Sequence, residues 1–365
     1  SDAGKSNYTA DANTYVGYRA GYTDMTGTKN VYVGEKAGYT SNGANLNIFI
    51  GQESGYSTTS GSENIFVGAG TSSSAAGYNN TSGSGNTLIG YQSGKSSLTG
   101  EDNTFVGRNT GYTNLGSDNT FIGSGAGYSN TSGTKGVLIG KEAGYSNTYG
   151  NCNTFIGGDA GRTNTTGGSN LFTGTRSGYS NTTGSRNVFM GSASTSTGTD
   201  SAGYANTVGS DNIFIGSKTG KSNTYGNDNV LVGTNSGTSL ISGYQNIVIG
   251  SNTGTAMTTS FNNIIFGYKA GQNSTGNDNV IIGTSAGIEA TGSKNMYLGS
   301  QAGKNSIGNN NVYIGYEAGE NISGIVAQGT GSYNLVIGQY AGRAIKTGSR
   351  NILLGSGESS NGTGS

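Results

Sequence analysis

The chain repeats one short pattern of hydrophobic and polar positions along almost its whole length. Each copy reads Asn, three mostly apolar residues and Gly, then two variable residues, a small residue, Gly, and a polar stretch of Ser, Thr and Asn. The pattern recurs twenty times; of the nineteen intervals between its first glycines, twelve are 17 residues, four are 16 and three are longer. These glycines are Gly17, Gly34, Gly51, Gly68, Gly90, Gly107, Gly123, Gly140, Gly157, Gly174, Gly191, Gly216, Gly233, Gly250, Gly267, Gly283, Gly299, Gly315, Gly338 and Gly355. Such regularity indicates a solenoid with one coil per copy.

The length of the repeat selects the type of solenoid. A period of 16 or 17 residues is too short for two helices and suits a coil of two short strands and two turns. The first predicted strand is the apolar triplet, and the second is the Tyr-Ser-Asn-Thr stretch, as at Tyr145–Thr148. We therefore predict an all-β parallel β-solenoid (a β-roll) of about twenty coils of 16–17 residues, with two short strands per coil. At about 4.8 Å per coil, it would be roughly 95 Å long.

The three longer intervals mark insertions in what is otherwise predicted to be a single continuous solenoid over residues 1–365. The insertions lie near 69–75, 192–201 and 320–333. Insertions in solenoids form surface loops that often lie on the functional face. These loops are therefore candidates for contact with a partner.

The apolar triplet has two different faces. Its first and third residues are mostly Thr, Val, Ile or Leu, whereas its middle residue is Phe, Tyr or an aliphatic residue. Alternate strand residues point to opposite faces, so one set fills the coil and the other forms an apolar stripe. We assign the middle set to a stripe that associates laterally with another copy or layer; the alternative is that the second segment of the coil folds over it. The predicted interface residues are Phe49, Phe66, Phe105, Phe121, Phe155, Phe172, Phe189 and Phe214.

Asn stands four residues before the motif glycine in nineteen of the twenty copies, and Gly136 is the exception. Stacked Asn side chains can bond to one another and to the turn backbone, which predicts a structural ladder. A polar stripe that binds a ligand is the alternative. Representative ladder residues are Asn30, Asn47, Asn64, Asn103, Asn119, Asn153, Asn187 and Asn212.

Tyr follows the second glycine of many copies. This spacing predicts a tyrosine ladder, which either binds a surface or sugar or is a purely structural stack. Its members include Tyr22, Tyr39, Tyr56, Tyr112, Tyr128, Tyr145 and Tyr179.

Composition and charge make several classes of function improbable for this chain. Only 10% of residues are charged, the net charge is zero, and Pro and His are absent. Zero net charge gives no electrostatic basis for binding nucleic acid, and no apolar run approaches the roughly 20 residues that span a bilayer. Without His, and with the single Cys152, the chain lacks the commonest general base and zinc ligands. We expect no enzymatic activity, no cofactor, no metal site and no membrane insertion.

The unit Asn-Thr-Phe-Ile-Gly-x-x-Ala-Gly, as at Asn119–Gly127, resembles two groups of proteins. One is the YadA-like head repeat of trimeric autotransporter adhesins, and the other is the N-T-x-x-G-x-x-A-G repeat of phage tail-fibre-like proteins. The resemblance implies a left-handed parallel β-roll, often trimeric, that adheres to host surfaces or matrix. The present coil is longer and carries Phe or Tyr where the adhesin repeat has Ala.

The two ends of the sequence suggest a mode of assembly. The chain begins within a coil at Ala3-Gly4-Lys5 and ends just after Leu354-Gly355, so that two half-coils could join end to end. The resulting expectation is a structural protein, extracellular, at the cell surface or in a virion fibre. It would self-associate as a homopolymer or homotrimer by head-to-tail contacts, lateral contacts or both. The alternative is an adhesin or a phage or bacterial tail-fibre shaft that binds surface glycans or matrix.

Overall fold

The structure is a computed structural model that describes residues 2–71, 73–192, 198–320, 331–343 and 347–357. It has two compact units, Ser1–Arg186 and Asn187–Ser365. In both, the described residues form β-strands and turns without any helix. Each unit is a parallel β-solenoid, which confirms the predicted fold class.

Each coil contributes one three-residue strand, formed by the apolar triplet. The strands of the first unit are β1 (Thr14–Val16), β2 (Val31–Val33), β3 (Ile48–Ile50), β4 (Ile65–Val67), β5 (Thr87–Ile89), β6 (Thr104–Val106), β7 (Thr120–Ile122), β8 (Val137–Ile139), β9 (Thr154–Ile156) and β10 (Leu171–Thr173). Those of the second unit are β11 (Val188–Met190), β12 (Ile213–Ile215), β13 (Val230–Val232), β14 (Ile247–Ile249), β15 (Ile264–Phe266), β16 (Val280–Ile282), β17 (Met296–Leu298), β18 (Val312–Ile314), β19 (Leu335–Ile337) and β20 (Ile352–Leu354).

Within each unit every strand pairs in parallel with the next one along the chain. The register is exact to the residue, as where Tyr32 lies opposite Phe49 and Val31 opposite Ile48. Insertions do not disturb it, because Phe66 still pairs with Leu88 across the first of the longer intervals. Residues at the same position of successive coils therefore form columns, and neighbouring residues in a column are about 4.8 Å apart.

Each strand ends at its motif glycine, and at all of these glycines except Gly68 and Gly191 the backbone has a positive φ that favours Gly. Gly157 has φ 136°, and a Cβ placed on it would lie 2.7 Å from the carbonyl carbon of Gly174 in the next coil. That approach leaves no room for a side chain. The glycine thus sets both the strand length and the coil spacing.

The predicted second strand of each coil is not formed in the described residues. The residue before the small residue and the glycine after it are both left-handed, as at Lys36 (φ 54°) and Gly38 (φ 59°). These left-handed residues lie just before the predicted strand. Within it the backbone closes a turn, because Ser41 N–H donates to Gly38 O, three residues back in the same coil, at 3.1 Å. The segment still bonds from coil to coil, because Gly38 N–H donates to Ser54 O at 2.9 Å and Thr40 N–H to Tyr56 O at 3.0 Å. It is therefore a ladder of turns.

The interior of each coil is narrow and filled by two facing side chains. One is the middle residue of the strand, and the other follows it by nine residues in a coil without an insertion. Tyr32 OH and Ser41 Oγ meet at 2.8 Å, and both residues are fully buried. In the second unit Val248 shares a coil interior with Met257, so that a short residue accompanies a long one. In these two coils the facing residues are complementary in size.

Candidate functional surfaces

The outward face of the sheet consists of the first and third residues of every strand. Their side chains are exposed or half-exposed, as at Ile48 (37%) and Ile50 (42%). None of the forty is charged in the twenty strands. Six in the first unit are Thr, whereas all those in the second unit are Val, Ile, Leu, Met or Phe. Each unit therefore carries a flat, uncharged strip, which we call the outward strip.

The assignment of the Phe residues to this strip is wrong. Phe49, Phe66, Phe105, Phe121, Phe155, Phe172, Phe189 and Phe214 are all at most 1% exposed and lie inside the coils. Neighbouring rings stack there, as in Phe49–Phe66 with centroids 4.8 Å apart. The interior takes the set with the larger planar side chains, because rings stack at the coil spacing and fill it. The β-branched set is left outside.

The Asn ladder beside the strands is confirmed, and we call it the strand Asn ladder. Asn47 donates from Nδ2 to Gly61 O at 2.9 Å, and its Oδ1 accepts from the backbone N–H of Asn64 in the next coil, also at 2.9 Å. The same arrangement continues in the second unit, where Asn212 N–H donates to Asn187 Oδ1 at 3.0 Å. The eight residues Asn30, Asn47, Asn64, Asn103, Asn119, Asn153, Asn187 and Asn212 are buried. Because their amides are used within the protein, they are not available to an external ligand.

A second Asn ladder runs through the opposite side of the coil and was missed by the sequence analysis. Asn147 Nδ2 donates to Asn130 Oδ1 at 3.0 Å and to Gly150 O at 3.0 Å, and both Asn residues are buried. The sequence signal is an Asn three residues before a glycine, or two residues before it at Asn114. We call this series the turn Asn ladder, and its members are Asn114, Asn130, Asn147, Asn164 and Asn181, with Asn206 and Asn223 in the second unit.

The tyrosines after the second glycine form a half-buried column at the surface. Tyr22, Tyr39 and Tyr56 stack with centroids 5.1 and 4.9 Å apart, and Tyr128 and Tyr145 with centroids 4.9 Å apart. Their interplanar angles are at most 9°. Because each ring covers the face of its neighbour, the column presents ring edges and hydroxyl groups to solvent. It is therefore poorly placed to stack on a sugar through its ring faces.

Cations interrupt this tyrosine column and are themselves paired. Lys95 occupies the column, and its Nζ lies 3.1 Å from Tyr112 OH. Arg162 lies over the Tyr145 ring at 5.2 Å and donates from Nε to Glu142 at 2.8 Å. The hydrogen bond that Arg162 donates to Glu142 raises the pKa of the guanidinium, so it stays charged. The pair with Glu142 neutralises Arg162, whereas the contact of Lys95 is with an uncharged hydroxyl.

Two of the insertions are anchored by carboxylates in the residues that the structure describes. Glu53 accepts from the backbone N–H of Ser73 at 3.0 Å in the first. In the second, Asp200 pairs with Lys221 at 3.3 Å and with Lys218 at 3.4 Å. Most of the third insertion, and residues 72 and 193–197, lie outside the described residues.

The residues expected to join chains end to end occupy ordinary coil positions. Ala3 and Gly4 form a corner, where Gly4 has φ 61° and its N–H donates to Ala20 O at 2.9 Å. Leu354 ends β20, and Gly355 N–H donates to Ile337 O at 3.0 Å. Their joining between molecules stays a prediction.

The titratable and metal-binding side chains of the described residues are the remaining candidates for a functional site. They include no group of three or more His, Cys, Asp or Glu residues arranged to hold a metal ion. Burial raises the pKa of the Tyr297 hydroxyl, and also that of Tyr32, so these interior phenols stay neutral. Cys152 is exposed in a turn, with φ 56°. No described helix is long and apolar enough to cross a membrane.

Comparison with known proteins gives no identification. No protein-family model matches the chain, and a search of the curated proteins found no similar sequence.

Proposed function

We propose that this protein is a non-enzymatic, extracellular structural protein whose copies associate side by side through their outward strips into a fibre. The observation that carries the proposal is the outward strip itself, an apolar surface without a single charge in either unit. Soluble monomers rarely leave large contiguous apolar patches uncovered, and such patches often mark an interface.

The dimensions of the strip suit an interface built from many coils. Ten strands about 4.8 Å apart, with outward residues about 7 Å apart along each, give roughly 300 Å² per unit. This is the size of patch that is often functional on a monomer, but below the roughly 800 Å² per partner of a standard stable interface. A lasting contact would therefore require the neighbouring columns or several copies, as in a fibre.

The partner that fits best is a second copy of this chain. Rows of side chains on the strip repeat at the strand spacing, so the ridges of one strip match the grooves of another. Sheets that pack face to face interdigitate in this way about 10 Å apart. A partner without a β-sheet would not share the period.

The test is the assembly state of a variant with two lysines on the strip. Ile247 and Ile264 lie opposite each other in β14 and β15 and are 42% and 44% exposed, so Lys at both is compatible with the coil. We expect Ile247→Lys/Ile264→Lys to abolish side-by-side association in analytical ultracentrifugation and electron microscopy. Desolvating two charges in an apolar contact is costly.

The matched control places two lysines in adjacent coils away from the strip. Thr258 and Thr275 are exposed and lie in the turn segment. Thr258→Lys/Thr275→Lys should assemble like the parent protein. A parent protein that stays monomeric at high concentration would contradict the proposal, as would equal behaviour of both double variants.

Adhesion to surface glycans or matrix is the second candidate, and the tyrosine column favours it. Its phenol hydroxyls form a regular row, with cations such as Lys95 and Arg162 set within it. A glycan array and a collagen-binding assay test this candidate. Discrete trimers that bind either one, and lose binding on Tyr128→Ala/Tyr145→Ala, would favour adhesion over a fibre. Labelling of intact source cells with antibody tests the extracellular location.

A further inference from the structure

The turn Asn ladder of the first unit is replaced by other residues in several early coils. There the column holds Thr58, then Asn80, then Ser97, and all three residues are at most 1% exposed. In the later coils, Asn side chains bridge one coil to the next. A hydroxyl side chain is too short to reach an amide one coil away, because coils are about 4.8 Å apart. Asn80 therefore lies between two residues that cannot continue the ladder.

Four buried polar atoms at this position have no protein partner in the described part of the chain. They are Thr58 Oγ1, Ser97 Oγ, and both Oδ1 and Nδ2 of Asn80. Buried polar side-chain atoms in native proteins are paired with protein or with ordered water in the large majority of cases. A cluster of four on three successive coils thus points to a bound solvent molecule rather than to chance.

The interior next to Asn80 has room for such a molecule. Ser97 shares its coil with Leu88, and Asn147 shares a later coil with Leu138. The two coils have the same strand residue in the middle, so they differ at this column by the two heavy atoms that Asn has beyond those of Ser. Water fits this space and chemistry, because it needs two to four polar partners and little volume.

We propose that ordered water occupies the interior of the first unit beside Asn80, bridging its amide to the hydroxyls of Ser97 and Thr58. The water takes the place of the missing Asn side chains and continues the turn ladder through these coils. The site is independent of the fibre proposal, since it lies inside the coil and not on the outward strip.

A high-resolution crystal structure of the full chain tests the site directly. We expect solvent density within hydrogen-bonding distance of both the Asn80 amide and Ser97 Oγ. In Ser97→Asn, the introduced amide should replace the water on that side, bond to Asn80, and raise the midpoint of urea unfolding. Leu138 with Asn147 is the precedent that this pair of side chains fits one coil.

Asn147→Ser is the matched control in the opposite direction. It should lower the unfolding midpoint and acquire solvent density beside Asn130 and Asn164, the partners that Asn147 bonds in the parent protein. Absence of density beside Asn80 in the parent structure would overturn the proposal. A lower midpoint for Ser97→Asn would overturn it as well, because the added amide would then find no place in the ladder.

Discussion

At the scale of single residues, the fold depends on the ability of an Asn side chain to donate and accept hydrogen bonds across the distance between neighbouring coils. Asn64 Nδ2 donates at 2.9 Å to the O atom of Gly83, which lies at the end of the same coil, while Asn64 Oδ1 accepts from Asn86 N–H at 3.0 Å in the next coil. Asp lacks the donor and Ser lacks the reach, so neither performs both tasks. One residue type therefore satisfies buried turn groups and joins neighbouring coils.

The first prediction concerns Gly136, the one position where the strand Asn ladder lacks its Asn. Gly136 N–H still donates to Asn119 Oδ1 at 2.8 Å, and a Cβ at Gly136 would meet that oxygen at 3.1 Å, so a side chain needs only a small adjustment. Gly136→Asn should raise the free energy of unfolding by about 1–2 kcal/mol, through new hydrogen bonds and lower unfolded-state entropy. Urea unfolding measures it. Gly136→Ala should supply only the entropic part, and equal gains would refute the ladder explanation.

The second prediction concerns Asp200 and acid. Burial opposes ionisation of this carboxyl, but Lys221 and Lys218 outweigh it and hold its pKa below the ordinary value of 3.8. A carboxyl whose pKa is lower in the folded state stabilises the protein above its unfolded pKa, and the contribution is lost as pH falls through the folded pKa. Asp200→Asn should therefore be less stable than the parent at pH 7, and the difference should shrink below about pH 4.

The control for this titration is Asp228→Asn, which changes an exposed carboxylate in a turn. Its unfolding midpoint should follow that of the parent protein closely at both pH 7 and pH 2.5. A deficit for Asp200→Asn that persists unchanged at pH 2.5 would mean that its cause is packing and not the ion pairs.

At the scale of elements, the strand was predictable and the second segment was not. Asn before the triplet and Gly after it mark both ends of the strand in the sequence, and the structure has the same bounds. The Tyr-Ser-Asn-Thr segment contains residues compatible with a strand. In the structure its N–H groups instead close turns within the coil, as where Asn147 N–H donates to Gly144 O at 3.0 Å, directly after the left-handed Glu142 and Gly144. A left-handed backbone at a non-Gly residue such as Glu142 carries a local cost, so the residue types alone do not predict these turns.

The hydrophobic pattern of the triplet also did not show which face of the strand lies inside the coil. Alternation separates Phe121 from Thr120 and Ile122, but it does not say which face is inside. The deciding contact is with the corner glycine: a Cβ on Gly144 would lie 2.8 Å from Leu138 and 3.1 Å from Phe155. Corner and middle residue thus pack directly together. The absence of a side chain at the corner was the available signal that a large residue faces it.

The third prediction compares two adjacent glycines at one corner. Gly157 has φ 136° and no room for a Cβ, whereas Gly158 has no positive φ and no heavy atom within 4 Å of a Cβ position. Gly157→Ala should lower the free energy of unfolding by about 3 kcal/mol or more, through backbone strain and a clash with the next coil. Gly158→Ala should be neutral or stabilising by up to about 1 kcal/mol. Thermal unfolding by circular dichroism distinguishes them, and similar losses would contradict the corner geometry.

At the scale of the whole molecule, charge and apolar surface are kept apart. Acidic and basic residues lie in the turns, where they pair between coils, as Asp159 does with Arg176 at 3.3 Å. The outward strips carry none. The strand and turn ladders join each coil only to its neighbours. Every added coil therefore lengthens the outward strip and also adds hydrogen bonds to the ladders. Stability and a surface for association therefore grow together with coil number.

The fourth prediction follows from this separation and concerns the forces in the assembly. Association through uncharged strips should be almost insensitive to sodium chloride between about 0.1 and 1 M, although the Debye length falls from about 10 to 3 Å. Apolar burial weakens on cooling and strengthens in sulfate, so fibres should shorten or dissociate near 4 °C and lengthen in ammonium sulfate. Light scattering with electron microscopy measures both effects. Dissociation by sodium chloride would instead assign the contact to the charged turns. The part of the tyrosine column around Arg162 would then be the interface to mutate.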